Sequence, residues 1–402
     1  NTKPTPDNVE VLKEIIENTD DKPILNEELL KLGEFISKIT LSTKIQAYQT
    51  MLPAALKAKK DFSVSKKYEK YFLLNWACTA ALKLAKNELQ KQIIKKFEKK
   101  AKILKKELSD ISISSVATLL KNNVIKEVDE EVYRNIHISN TTNNNIMLTE
   151  KQNEIVEIVF NTKKFVPYLL HGVTGSGKTE VYMNIIRKVL DEGKTALVLV
   201  PEISLTPQFV AKFQNKFEGQ IAILHSKLSN GEKYDEWRKI ENKEVSVVIG
   251  TRSAIFAPLT NIGVIVIDEE HSDSYKQENN PKYHAISIAL FRAKYHDAPL
   301  LLGSATPTIE SYTRAKLGIY KLLELKERIN TNLPKVELVS MKEEIKKGNS
   351  IFSSKLINKI NDRLQKQEQV IILLNKRGYA RIVTCHDCGY TDKCPHCDIP
   401  LT

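Results

Sequence analysis

The stretch Val166-Pro167-Tyr168-Leu169-Leu170-His171-Gly172-Val173-Thr174-Gly175-Ser176-Gly177-Lys178-Thr179-Glu180 decides the fold. Its apolar run ending at Leu170 reads as a buried strand; Gly172 to Thr179 then match a P-loop, and a helix opens at Thr179-Glu180. The glycines let backbone N–H groups close on phosphate oxygens. Lys178 reaches the β- and γ-phosphates, and Thr179 offers a hydroxyl to Mg²⁺ at the positive end of the helix. Gly172, Val173, Thr174, Gly175, Ser176, Gly177, Lys178, Thr179 and Glu180 are therefore the candidate ATP-binding residues.

Outward from this loop, apolar strands alternate with amphipathic helices. The strands are expected at Val166 to Leu170, Thr195 to Val200, Gln220 to Leu224, Val245 to Ile249, Val264 to Ile267 and Pro299 to Leu302. That alternation predicts a parallel α/β sheet. The run Gly263 to Ile267 leads straight into Asp268-Glu269-Glu270-His271, placing acids at the C-terminal end of a buried strand. Asp268 would hold Mg²⁺ through its water shell and Glu269 would orient or deprotonate the attacking water, so Lys178, Asp268 and Glu269 are the catalytic candidates. His271 has no Cys or His nearby in sequence and is expected to link the nucleotide site to a neighbouring motif. Gly250-Thr251-Arg252-Ser253-Ala254 and Gly303-Ser304-Ala305-Thr306-Pro307 also lie at strand ends; alone, each is an ordinary turn.

The 402 residues suit two to four domains. With 42% apolar and 27% charged residues the composition is that of a globular chain, and its longest apolar runs are strand-sized, well short of the roughly 20 residues of a membrane helix. Asn1 to Asn8 are polar, with no secretory signal, so a cytoplasmic location is expected. The net charge is +12, carried by 61 Lys and Arg against 49 acids. Lys far outnumbers Arg, a skew that codon composition alone produces, so position is more telling than sum. Between Lys59 and Asp110 there are 15 Lys and 6 acids, a local excess of +9.

Asp20 to Ala58 carries helical spacing (Leu29, Leu32, Phe35, Ile36, Ile39). Ser65 to Leu108 is Lys-rich with apolar residues at helical intervals, Ser112 to Asn123 is a cappable helix, and Glu127 to Ile138 reads as short β pieces. Three helices and a hairpin is the order of a winged helix, and also of other small helical domains. Ser139 to Asn145 has no apolar residue and reads as a linker. A second joint at Leu333-Pro334-Lys335 precedes strands at Glu337 to Ser340 and Gln369 to Leu374 and a helix from about Ser353 to Gln365. Cys385, Cys388, Cys394 and Cys397 form two Cys-x₂-Cys knuckles suited to Zn²⁺, five residues apart, which is short for a single four-cysteine site. Cys78, beside Trp76, Ala77 and Ala80, reads as a small buried hydrophobe.

Taken in order, the P-loop, Pro201-Glu202-Ile203-Ser204-Leu205-Thr206, Gly250-Thr251-Arg252, Asp268 to His271 and Gly303 to Pro307 resemble superfamily 2 helicases of the DEAH-like type. The resemblance implies that Gln152, in Leu148-Thr149-Glu150-Lys151-Gln152, reads the adenine. Val173 to Tyr182, Val200 to Pro207, Ile267 to His271, Ser274-Tyr275-Lys276-Gln277, Tyr283-His284-Ala285, Leu374 to Ala380 and the cysteine pairs together look like the primosomal protein N′ (PriA) family of bacterial replication-restart helicases.

That resemblance implies an ATP-dependent 3′ to 5′ DNA helicase that recognises stalled or repaired forks and promotes primosome assembly. It implies the end of a 3′-DNA-binding domain over 1–58, a basic winged-helix domain and linker over 59–140, a RecA-like lobe over 141–334, and the start of a second lobe with a zinc region over 335–402. Two Zn²⁺ ions with interleaved pairing are implied, each knuckle sharing its ion with cysteines beyond Thr402. Ser272 to His284 becomes a loop that senses single-stranded DNA, with bases stacking on Tyr275 and Tyr283 beside Thr251, Arg252, Lys276 and His284. The family's Tyr-His-Ala-Arg-Asp here reads Tyr283-His284-Ala285-Ile286-Ser287, losing a charge pair. Implied partners are forked and single-stranded DNA, single-stranded-DNA-binding protein and the replicative helicase loader, around a nucleoid-associated monomer. On this reading the chain is cut short at both ends, lacks the second lobe's arginine finger and hydrolyses ATP weakly by itself. The competing readings are another superfamily 2 translocase and a primosome scaffold in which ATP is dispensable.

Overall fold

The computed structural model describes residues 23–57, 66–134, 147–217, 219–328, 335–348, 351–373, 388, 390 and 391. The chain forms two units, residues 1–331 and 332–402. Elements of the first unit begin with α1 (Glu27–Thr40) and α2 (Lys44–Met51). There follow β1 (Lys67–Leu74), α3 (Cys78–Leu84), α4 (Glu88–Lys96), β2 (Lys102–Leu104), α5 (Lys105–Ser109), α6 (Ile113–Lys121) and β3 (Ile125–Val132). The α/β part then runs α7 (Glu150–Phe160), β4 (Pro167–Gly172), α8 (Lys178–Asp191), β5 (Thr195–Leu199), α9 (Pro207–Phe217), β6 (Ile221–Leu224), α10 (Asn230–Glu241), β7 (Val247–Gly250), β8 (Ile262–Ile267), α11 (Ala285–Tyr295), β9 (Leu300–Ser304), α12 (Ile309–Lys316) and β10 (Lys321–Leu325).

Strands β4 to β10 pair in parallel in the order β10-β4-β9-β8-β5-β7-β6. Both faces are covered, so central strands are apolar throughout, yet their residues still divide by period two. Ala196, Val198 and Val200 join the core under α7, α8 and α9, whereas Leu197 and Leu199 join the core under α10 and α11. Strand β9 lies between β4 and β8, so three strand ends meet: the P-loop after β4, Ser304 ending β9 and Asp268 after β8. The seventh strand, β10, was not expected from sequence; it is an edge strand with polar Lys321 and Glu324, and it reads poorly as a buried run.

The basic region departs from the expected three helices and hairpin. A strand comes first, and β1 pairs antiparallel with both β2 and β3. Phe72 and Leu73, expected on a helix, lie in β1; their spacing to Trp76 and Ala80 spans a strand, a turn and α3. Helices α5 and α6 sit between β2 and β3, and the third strand comes from the N-terminal side. Cys78 is half-buried, its thiol pushed up in pKa by burial.

Helices α1 and α2 pack on the α/β part. Leu29, Leu32, Ile36, Ala47 and Met51 share one apolar core with the sheet and α11, and Phe35 stacks on Phe291 at 4.8 Å. At the centre of this contact Arg292 is wholly buried. Its Nε donates to Glu28 Oε1 (2.6 Å), its Nη2 to Glu28 Oε2 (3.1 Å) and to Leu259 O (3.2 Å), and its Nη1 to the carbonyls of Ile255 (2.7 Å) and Ala257 (2.9 Å). The basic region is tied on separately: Arg134 donates from backbone N and Nη1 to buried Asp235 of α10, both at 2.9 Å.

In the second unit the described helices are α13 (Met341–Lys346) and α14 (Ser354–Gln365), joined by Glu344, which accepts from Ser354 N (2.6 Å) and Oγ (2.7 Å). Residues 337–340 and 369–373 are not strands, unlike the expectation; among the described residues of this unit no neighbouring strand offers the ladder that an extended segment needs. No helix among the described residues is long and apolar enough to cross a membrane.

Burial alone would raise the pKa of Glu28, but the Arg292 charge and hydrogen bonds from His296 and Arg292 outweigh it and hold the carboxyl at about 2. A depressed carboxylate contributes stability above its unfolded value near 4.5, lost as pH falls towards about 2. Glu28→Gln, which leaves Arg292 with an uncompensated buried charge, is expected to lower stability by about 3 kcal/mol at neutral pH. Urea melts should show that difference shrinking between pH 4.5 and 2.

Candidate nucleotide site

The P-loop turns on two residues in the left-handed region, Gly175 (φ +80°) and Gly177 (φ +81°), where a side chain would be strained. The N-terminus of α8 has no side-chain cap, so its first N–H groups face the loop's concavity, the arrangement that receives an anion. Lys178 is buried, and its Nζ donates to Gly172 O at 2.8 Å. Glu180 is also buried and pairs with Lys212 of α9. Thr174, Ser176, Thr179, Asp268 and Glu269 line a cavity of about 360 Å³ with them. The sheet thus brings the P-loop and the acids after β8 into one space.

Asp268 is 8% exposed. Burial, then the neighbouring Glu269 charge, pushes its pKa up, opposed by the hydrogen bond from Tyr182 and the charge of Lys178. Glu269 has φ +46°, a left-handed conformation that costs about 1 kcal/mol or more and turns the backbone sharply beside the cavity. Glu270 points away, buried, accepting from Thr308 N (2.7 Å) and Ser311 Oγ (2.9 Å) at the start of α12. His271 Nδ1 lies 2.8 Å from Ser304 Oγ, which itself accepts from Thr306 N (3.0 Å). These four consecutive residues therefore connect the β8, β9 and α12 ends. A carboxylate and the Thr179 hydroxyl lining one cavity beside the P-loop are a hard-oxygen donor set that fits Mg²⁺.

Gln152 lies at the third residue of α7 with both ends of its amide engaged. Oε1 accepts from Thr149 N (2.8 Å) and Nε2 donates to Ser176 O (2.8 Å). It braces the P-loop from behind, and borders a second cavity of about 800 Å³ lined by Thr149, Ile155, Leu323 and Arg328.

The loop after His271 is arranged differently from the base-stacking platform expected of it. Tyr275 and Tyr283 are both buried. Tyr275 runs under the β8 end, its hydroxyl donating to Asp268 O (2.5 Å) and Leu199 O (3.2 Å), and burial pushes its pKa far up. Tyr283 packs edge-on against Phe256 at 5.0 Å, below the Arg252 guanidinium. Neither ring offers a face to a base in this structure. Arg252 Nη1 donates to Lys276 O (2.6 Å) and Ser274 O (3.3 Å), so it fastens the loop. Lys276 is exposed and donates to Lys282 O (3.1 Å), and His284, its pKa lowered by burial, caps α11 by accepting from Ile286 N (3.2 Å). Thr251 is buried and donates from backbone N to Leu224 O (3.0 Å).

Sequence reasoning gave no individual role to Tyr182 or Glu270 and did not single out Lys212. Tyr182 could have been found from its place one helical turn beyond Lys178, which puts it on the same face of α8. Among the described residues no group of three or more His, Cys, Asp or Glu could hold a metal ion. Cys388 is exposed; Cys385, Cys394 and Cys397 lie outside the described residues.

The sequence model of the DEAD/DEAH box helicase family matches residues 149–315, the span that holds Gln152, the P-loop, the acids after β8 and the 272–284 loop. A model of the PriA 3′ DNA-binding domain matches residues 1–53. Replication restart protein PriA of Bacillus subtilis is 42% identical, over 97% of this chain and 58% of its own length. The chain belongs to the PriA family of replication restart proteins. It spans little more than half the length of that relative. A second PriA, from Synechocystis, is 42% identical over 72% of this chain and 36% of its own length. Among solved structures, RecG bound to a three-way DNA junction is similar at 24% identity and a TM-score of 0.36, over 48% of this chain and 25% of that one.

The buried setting of Tyr275 yields a test. Tyr275→Phe is expected to lower stability by about 1 kcal/mol, because the buried Asp268 carbonyl loses its hydroxyl donor while Leu199 O keeps the Asp268 N–H, and to leave affinity for single-stranded DNA unchanged. A base-stacking ring would give the reverse in urea melts and fluorescence-anisotropy titrations: an innocuous Phe, and an Ala that loses about 1–3 kcal/mol of DNA binding.

Proposed function

We propose that this chain is the ATP-binding part of a 3′ to 5′ DNA helicase that recognises stalled or repaired replication forks and promotes primosome assembly. The observation that carries the reading is the shared cavity of Lys178, Thr179, Asp268 and Glu269 within a chain of the PriA family. Lys178 would leave Gly172 O for the β- and γ-phosphates of ATP, with Gly175, Ser176 and Gly177 supplying backbone donors. Thr179 and Asp268 would hold Mg²⁺, which supplies charge neutralisation on the phosphates. Glu269, half-buried and turned by its backbone, would orient the attacking water. Gln152, already fixed on the P-loop, would meet the adenine with its remaining hydrogen-bonding capacity.

DNA would be met by the 3′ DNA-binding part and by the basic region after it, largely through phosphates. In that region Glu127, Glu130 and Glu131 neutralise part of the Lys excess, pairing with Lys70, Lys105, Lys102 and Lys66. Arg252 and Lys276 would act by holding and presenting the 272–284 loop, not by carrying stacking rings. The cysteine knuckles would hold Zn²⁺, as their spacing suggests, and by family resemblance would serve partner contacts and strand separation. Single-stranded-DNA-binding protein and the replicative helicase loader would be the protein partners, in the cytoplasm at the nucleoid.

The test is ATP hydrolysis by the full-length protein with and without forked DNA, beside Lys178→Ala. DNA-stimulated turnover that falls at least about a hundredfold in the variant is the expected result. Tight fork binding by a protein that neither binds nor hydrolyses ATP would leave a scaffold and overturn the reading.

A further inference from the structure

Tyr182 is fully buried in α8, its ring within the apolar layer beneath the sheet. A phenylalanine would fill that layer equally well, so the buried hydroxyl needs a reason of its own. It donates to Asp268 Oδ1 at 3.0 Å. A second, independent feature makes room for it: a Cβ built on Gly303 of β9 would lie 1.7 Å from the Tyr182 oxygen. Gly303 is therefore glycine because a side chain from α8 crosses it to reach the end of β8, not because of its backbone angles. The P-loop helix, β9 and the acid-bearing strand end meet at this single hydroxyl.

We propose that Tyr182 is the positioning residue that fixes the Asp268 carboxylate for the magnesium-bound nucleotide, and that Gly303 is the clearance admitting it. The assignment rests on the nucleotide reading above. Loss of the hydroxyl frees the carboxylate to rotate about its side-chain bonds, so the magnesium-dependent part of nucleotide binding weakens while the metal-free part, carried by the P-loop and Lys178, stays.

The experiment is a Mg²⁺ titration of binding of a fluorescent non-hydrolysable ATP analogue to the full chain, with an EDTA arm, for wild type, Tyr182→Phe, Gly303→Ala, Asp268→Asn and the Tyr182→Phe/Asp268→Asn pair. Tyr182→Phe is expected to raise the Mg²⁺ half-saturation about tenfold with affinity in EDTA unchanged. The double variant should match Asp268→Asn alone, because the hydroxyl acts only through that carboxylate. Gly303→Ala, which keeps the hydroxyl and displaces it, should shift the titration in the same direction; it decides the matter if Tyr182→Phe shows no cooperative melt. An unshifted titration in a folded Tyr182→Phe, or losses that add in the double variant, would overturn the assignment. A wild type whose binding ignores both Mg²⁺ and Lys178→Ala fails the nucleotide reading instead, and is told apart by that control.

Discussion

A carboxylate closing a strand of six apolar residues is the constraint around which this site is arranged. Strand β8 is buried from end to end except for a partly exposed Gly263, and Asp268 inherits that burial at the point where charge is wanted. A buried carboxylate needs a donor close by, and Tyr182 supplies it, while Tyr275 satisfies the backbone carbonyl of the same residue. The following residues then turn outward to different elements, Glu270 to α12 and His271 to β9. Strand order makes this possible, since β9 lies between the P-loop strand and the acidic one and its small residues leave both neighbours within reach.

Much of the sheet was legible because central parallel strands need apolar residues on both faces, and those runs stand out between amphipathic helices. The P-loop was legible for a different reason: Gly175 and Gly177 occupy backbone angles that other residues resist, so the motif is written in its glycines. Strand β1 was not legible. Lys-Tyr-Glu-Lys-Tyr-Phe-Leu-Leu mixes charge and bulk at spacings that suit a helix, and its extended form is fixed by pairing with β2 and β3 and by the burial of Phe72, all of which come from residues distant in sequence.

The 272–284 loop was misread for a reason that lies outside its own residues. An aromatic in a polar loop suggests an exposed ring, but Tyr275 is drawn inward by the carbonyls of Asp268 and Leu199, the latter 76 positions earlier. The docking of α1 and α2 was hidden in the same way. Their apolar stripe announces a partner without saying which, and Glu28 reads as an ordinary first-turn acid until Arg292 is placed beside it.

That last pairing spans 264 positions, and it bears on how the polypeptide is made. A ribosome adding roughly 5–20 residues each second leaves α1 without its permanent neighbour for roughly 13–50 seconds after its own synthesis. Throughout that interval Leu29, Leu32 and Ile36 are a greasy surface in search of cover, and the carboxylate between them has no counter-charge. The nascent chain thus carries uncovered apolar surface at α1 well before any motor motif has been translated.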